Sequence, residues 1–227
     1  MKLIQLLLLI PLLFFICCNT PKEKQDETRC HTEYPKDSAD YKFLKCNFYI
    51  GKDGALYKKK TRVDKYTPPY CDEVFFDKYI QEDLGDSVIQ IPLDSIVDID
   101  SYTCLDSSCY SKDKNKCYYY FDDSDGGFLS VIDTADVATF KKLPADNWAI
   151  DKNFVYYYGN IVPGLHVKKF QLLAGSSDPQ YTKDDVHVFF EYDSIPGADP
   201  GTFKLSQERG FDAEDKNHKY AYGKAIR

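Results

Sequence analysis

One phrase returns along this chain, and that self-similarity limits what it can fold into more than any bulk property does. Asp113-Lys114-Asn115-Lys116-Cys117-Tyr118-Tyr119 recurs as Asp151-Lys152-Asn153-Phe154-Val155-Tyr156-Tyr157. A worn form stands at Asp184-Asp185-Val186-His187-Val188-Phe189-Phe190, and another at Asp215-Lys216-Asn217-His218-Lys219-Tyr220-Ala221. Repeats of about 20–50 residues belong to solenoids, propellers and arrays, where each unit is too small to bury its own apolar face and neighbours bury it jointly.

Each copy also has a tail. From Asp151 the unit runs through Gly159-Asn160-Ile161-Val162-Pro163-Gly164 to Phe170, and from Asp184 through Ile195-Pro196-Gly197-Ala198-Asp199-Pro200-Gly201-Thr202 to Phe203. The copy at Asp113 ends at Ala135-Asp136-Val137-Ala138-Thr139-Phe140 after a polar insertion around residues 122–127. Val97-Asp98-Ile99-Asp100-Ser101-Tyr102 is the tail of an eroded first copy, which gives four copies and a last fragment. Asp-Lys-Asn is turn chemistry, because Asp and Asn side chains bond their own backbone. Val155-Tyr156-Tyr157-Tyr158 is β-branched and aromatic and suits a strand, and Gly159-Asn160 reads as a tight hairpin turn. The expected fold is all-β: tandem repeats of about three short antiparallel strands with tight turns, as an open array or a propeller-like meander. Phe140, Phe170 and Phe203 are expected between neighbouring units, with Val155, Tyr157, Val188 and Phe190 facing one way.

The phrase Asp-Lys-Asn-x-Val-Tyr-Tyr, followed by Ile-Pro-Gly-Ala-Asp-Pro-x-Thr-Phe, resembles the DKNYY repeat family of bacterial proteins. The resemblance runs from Asp113 to Ile226 and more loosely back to Gly51. It implies a repeat module, often exported or lipid-anchored, and supplies no catalytic residue.

The beginning of the chain reads as an export signal. Lys2 precedes a mostly apolar run over residues 3–16, too short for the ~18 residues or more of a membrane-spanning helix and suited to a secretory segment. It ends at Cys17-Cys18 and resembles a bacterial lipoprotein signal, which implies a lipid on Cys18. Residues 19–32 are polar and read as a tether. The expected organisation is a signal over 1–17, a tether over 18–41, an eroded first repeat with an insertion over 42–110, and the array over 111–227. The expected location is the bacterial envelope, periplasmic or at the surface, with the lipid as membrane partner.

A net charge of −7 argues against nucleic acid, which requires basic patches. Lys58-Lys59-Lys60 is the only basic run and reads as a solvated strand end. Six cysteines remain after the signal (Cys30, Cys46, Cys71, Cys104, Cys109 and Cys117). Their even number in an exported chain points to disulfides, and no pair has zinc-finger spacing. A hairpin centred at Asp113 sets Cys109 opposite Cys117, so that pair is expected to bond, with Cys104–Cys109 as the competing pair.

No catalytic, cofactor or metal residues are expected. There is no G-x-S-x-G or H-E-x-x-H, most Asp residues occupy turns, and the loop at Asp122-Asp123-Ser124-Asp125-Gly126-Gly127 lacks the first ligand of a calcium loop. His187 and His218 share a repeat position with Lys116 and Phe154 and read as a tolerant, partly exposed strand position. Alternation along the tyrosine strands is expected to leave one row exposed, taken as Tyr118, Tyr120, Tyr156 and Tyr158, able to stack on sugars or anchor proteins. The function expected is non-catalytic binding of an envelope protein or glycan. The alternatives are an envelope hydrolase whose carboxylates converge in the fold, or a structural spacer.

Overall fold

The computed structural model describes residues 39–63, 72–83, 88–105, 109–173 and 180–226. Cys18, Cys30, His31 and Cys71, with the signal and most of the tether, lie outside the described residues. The described chain is almost wholly antiparallel β, in five four-stranded sheets and one two-stranded hairpin. No described helix is long and apolar enough to cross a membrane.

Sheet one comprises Tyr41–Lys45, Phe48–Gly51, Leu56–Arg62 and Glu73–Asp77. The hairpin Tyr79–Asp83 with Val88–Pro92 and a single helical turn, Leu93–Ile96, follow it. Sheet two holds Thr103–Cys104, Tyr110–Lys112, Cys117–Phe121 and Phe128–Val131. Sheet three holds Lys141–Lys142, Trp148–Ile150, Val155–Tyr157 and Asn160–Ile161. Sheet four holds Gln171–Leu172, Tyr181–Lys183, Val188–Phe190 and Asp193–Ser194. Sheet five holds Lys204–Leu205, Ala213–Glu214, Lys219–Ala221 and Lys224–Ile226. Each is an up-and-down meander. The strand after each tail aromatic opens the next sheet, so a structural unit has four strands where the sequence phrase suggests three. The fragment from Asp215 therefore completes a sheet.

The sheets stack. Phe48 and Leu56 of sheet one pack with Tyr118 and Leu129 of sheet two. Tyr110, Cys117 and Tyr119 of sheet two pack with Ala149 and Tyr156 of sheet three. Trp148, Val155 and Tyr157 pack with Phe189 of sheet four, and Tyr181 and Val188 with Ala213 and Tyr220 of sheet five. Alternate residues of one strand thus bury against opposite neighbours, and Val155, Tyr157, Val188 and Phe190 share a facing as expected. Phe140 and Phe203 are buried, whereas Phe170 is only half-buried against the third cluster. It follows a short 3-10 turn, Val167–Lys169, that leaves it at the rim.

The tight turn after Tyr157 differs by one residue from the sequence reading. Tyr158 and Gly159 are its central residues, with φ of 46° and 77°, so the turn is Tyr-Gly and Asn160 already starts the return strand. A Cβ on Gly159 would stand 2.7 Å from Tyr119 of sheet two. Glycine is required here both by the backbone dihedral and by the closeness of the neighbouring sheet.

Candidate functional site

The signature residues are the first place to look for chemistry, and their geometry shows a structural clasp. Asp151 is buried. Its Oδ1 accepts N–H bonds from Asn153 and Phe154 at 2.6 and 2.7 Å. Its Oδ2 accepts the Asp136 N–H at 2.7 Å and the Tyr156 hydroxyl at 2.9 Å. Asp136 lies in the tail of the preceding unit, so one carboxylate closes its own turn and ties it to that tail. Lys152 then pairs with Asp136 at 2.6 Å, and the Lys152 N–H donates to Thr139 Oγ1.

The same arrangement repeats at Asp113 with Asp98, Lys114 and Tyr118. It repeats again at Asp215 with Asp199, Lys216 and Tyr220. Burial alone would raise the Asp113 carboxyl, but the bonds from Tyr118, Asp98, Asn115 and Lys116 outweigh it and hold it below the usual range. In these three clasps every side-chain oxygen of the signature Asp is committed to architecture, and the three carboxylates stand one per unit without converging in a cleft.

The four tyrosines expected as an exposed row separate. Tyr118 and Tyr156 are fully buried, because each points into a neighbouring sheet with its hydroxyl on the clasp Asp. Tyr120 and Tyr158 are half-buried and line different surfaces. The expectation of one solvated face fails because a stacked sheet has no free face.

Tyr158 does belong to an aromatic edge. Phe121 and Phe128, 39% and 43% exposed, stack with ring centroids 5.4 Å apart. Phe121 lies 6.1 Å from Tyr158, Tyr158 4.5 Å from Tyr157, and Tyr157 5.4 Å from Tyr192. The ribbon crosses sheets two to four at their hairpin ends. It lines a shallow groove of about 310 Å³ whose polar members are Asn160, Gln180 and Glu191. Gln180 Nε2 donates to Glu191 Oε1 at 3.0 Å, which fixes both side chains at the groove floor. Phe121 belongs to the longer hairpin of the second unit, so no repeat position marks it in the sequence.

A second cavity, about 540 Å³, opens between sheets one and two. Lys58 reaches into it and is only 8% exposed, so the basic run is not uniformly solvated. Its Nζ lies 4.7 Å from the Phe48 ring centroid and 4.8 Å from that of Tyr120, and donates to the Cys46 carbonyl at 3.3 Å. Burial pulls the amine down to about 8, Lys60 adds to this, and Cys109 opposes it. Lys60 instead pairs with Asp77 at 2.8 Å. Leu56 and Lys58 share a strand face by the period of two, a signal that the Lys-Lys-Lys run hides.

The cysteines bordering this cavity correct the expected pairing. Cys46 bonds Cys104, with Cα atoms 6.1 Å apart, while Cys109 and Cys117 are both free thiols. The register pairs Lys112 with Cys117 and Tyr110 with Tyr119, and the Tyr120 N–H donates to the Cys109 carbonyl. The hairpin is centred between Lys114 and Asn115, so Cys109 falls opposite Tyr120. The competing Cys104–Cys109 pair is not formed either, because Cys104 is already bonded.

Of the histidines, His187 and His218, expected to be partly exposed, are exposed. His166, however, stands beside Asp184 and Asp185, a grouping that the expectation of no metal ligands did not anticipate. In comparison with known proteins, no curated protein and no solved structure matches this chain. The family model of the DKNYY family matches residues 95–224, which spans the clasps at Asp113, Asp151, Asp184 and Asp215. That is more than half of the 227 residues, and the chain belongs to the DKNYY family.

Proposed function

We propose that this chain is a non-catalytic binding protein of the bacterial envelope, held to the membrane through a lipid on Cys18, and that its ligand is a glycan strand. The aromatic ribbon from Phe128 through Phe121 and Tyr158 to Tyr192 carries the reading. Sugar rings stack on exposed aromatic faces, while Asn160, Gln180 and Glu191 offer partners for hydroxyls. The clasp supports the non-catalytic half, since the carboxylates of Asp113, Asp151 and Asp215 are already occupied. A stack of sheets presents such an edge across several units, which suits an extended ligand.

Chito-oligosaccharides and cello-oligosaccharides, titrated calorimetrically into the full chain in detergent, test the ligand. Binding is expected for at least one series, weakened about tenfold, the equivalent of ~1.4 kcal/mol, by Phe121→Ser with Tyr158→Ala. Absence of binding to both series, or affinity unchanged in the variant, overturns the glycan reading. The anchor is tested apart from it: Cys18→Ser is expected to release the protein from membranes, because one short apolar segment does not hold it there once cleaved. A mature N-terminus carrying an unmodified residue other than Cys18 refutes the anchor.

A further inference from the structure

We propose that the fourth unit carries a metal site, in which His166, Asp184 and Asp185 hold a divalent transition-metal ion of the zinc class. The clasp of this unit departs from the other three at several positions, three of which bear on the site. The tail Asp becomes His166, the Lys after the signature Asp becomes Asp185, and the Tyr that completes the clasp becomes Phe189. Where the regular clasp pairs a carboxylate with an ammonium, this one sets an imidazole beside two carboxylates.

The backbone of the clasp is unchanged. Asp184 Oδ1 accepts the N–H groups of Val186 and His187 at 2.7 and 2.6 Å, and Oδ2 accepts that of His166 at 2.9 Å. What is missing is the hydroxyl that fills the second lone pair of Oδ2 at Asp113, Asp151 and Asp215. The Asp184 side chain is 0% exposed, and its Oδ2, with one protein donor fewer than in the other clasps, lies 3.6 Å from the His166 imidazole.

Two of the three separations match a coordination shell. His166 Nδ1 lies 3.4 Å from Asp185 Oδ1 and 3.6 Å from Asp184 Oδ2, and one ligand atom from each residue lies within 4.8 Å of the others. Ligands held about 2.0–2.2 Å from a tetrahedral zinc ion stand roughly 3.3–3.6 Å apart. Drawing the two carboxylates slightly together completes three positions. The fourth is open to water or to His187, whose Nδ1 is 4.0 Å from Asp184 Oδ1. His166 and Asp185 are 57% and 53% exposed at their side chains, which gives an ion its route in. A donor set with imidazole nitrogen favours zinc and its transition-metal neighbours over magnesium and calcium, which prefer oxygen alone.

The simpler reading is a bare histidine–carboxylate ion pair with its charges exchanged relative to the other clasps. Calorimetric titration of Zn²⁺ into chelator-treated full chain in detergent separates the two. One Zn²⁺ per chain at micromolar affinity is expected, weakened at least about tenfold, the equivalent of ~1.4 kcal/mol, by His166→Asp with Asp185→Lys. That double variant restores the charges of the regular clasp, so it is expected to fold with an unchanged or raised thermal midpoint. His187→Ala tells whether the fourth position is a histidine: a weaker site shows that it is, and an unchanged one leaves the three-residue site as proposed. No Zn²⁺ binding up to 100 µM (roughly −5.5 kcal/mol), or binding that the double variant leaves intact, overturns the proposal. The titration does not depend on the glycan reading.

Discussion

Replacing Asp151 with alanine is expected to destabilise the protein by about 3–5 kcal/mol, the cost of removing one partner from a buried, fully hydrogen-bonded charged group. Four donors lose their acceptor at once: the N–H groups of Asn153, Phe154 and Asp136, and the Tyr156 hydroxyl. Tyr156 is fully buried, so its hydroxyl gains no water in exchange. At roughly 2–4 °C per kcal/mol for a chain of this size, the thermal midpoint should fall by about 6–20 °C. Lys152→Ala should cost far less than Asp151→Ala, since its pair with Asp136 sits at the exposed rim, where solvent screens it. Asp184→Ala should cost less than Asp151→Ala, because Phe189 supplies no hydroxyl to be orphaned. Urea unfolding of the three variants measures the order, and Asp151→Ala within 1 kcal/mol of the parent would show that the clasp is not what joins the units. Because stacked units behave as neighbour-coupled elements, the loss should be largest for probes in sheets two and three.

How much of this was legible in the sequence depends on whether a feature is periodic along the chain or meets only across units. The strands at Val155 and Val188, their common facing, the loop at residues 122–127 and the buried Phe140 and Phe203 all follow from the repeat phrase. The fate of Tyr118 and Tyr156 does not follow from alternation, because alternation assumes a solvated face. The better signal was that Val155-Tyr156-Tyr157 is an unbroken apolar run, the pattern of a strand covered on both sides. The Cys109–Cys117 pairing failed on the turn. Its four residues, Asp113 to Lys116, move the hairpin centre past Asp113, and a shift of that size changes every cross-strand partner. Lys58 was hidden because the two residues that follow it are also lysines, and the strand period separates it from Lys59 alone. The group of His166, Asp184 and Asp185 requires knowing that the tail of one unit touches the head of the next. Once that contact is known, the exchange of Asp for His and of Lys for Asp reads as one coordinated change.

The stability of this protein should depend on pH in the alkaline range in a way that two sets of buried groups determine. Lys58 ionises near 8 in the folded chain and near 10.4 when exposed in the unfolded one. Below pH 8 both states carry the proton and folding bears the cost of burying the charge. Between these values the unfolded state binds the proton and the native state does not, so the contribution of Lys58 to stability rises with pH, by about 3 kcal/mol in full. Its contacts with Phe48, Tyr120 and the Cys46 carbonyl offset part of the cost at lower pH. Lys58→Met removes the charge and keeps the volume, so methionine should be the more stabilising residue at pH 7 by about 2–3 kcal/mol, with the advantage vanishing by about pH 10.5. The buried thiol and phenols act in the opposite sense. Burial pushes Cys117 and Tyr102 up to about 12, and burial followed by the bond to the clasp Asp raises Tyr118, Tyr156 and Tyr220 further. Above pH 9 for the thiol and pH 10 for the phenols, the unfolded chain releases protons that the native chain retains, and each such group costs about 1.4 kcal/mol per pH unit. Parent and Lys58→Met should therefore converge near pH 10.5 and then lose stability together, with the tyrosinate absorbance of the buried rings, as distinct from exposed ones such as Tyr222, appearing only as the sheets come apart. Urea midpoints at pH 7, 8.5, 10 and 11 measure both effects. A parent–variant difference that does not change with pH would mean that the Lys58 ammonium is solvated and that sheets one and two are not closed over it. Tyrosinate absorbance that develops fully before unfolding would likewise mean that the rings between the sheets are open to hydroxide.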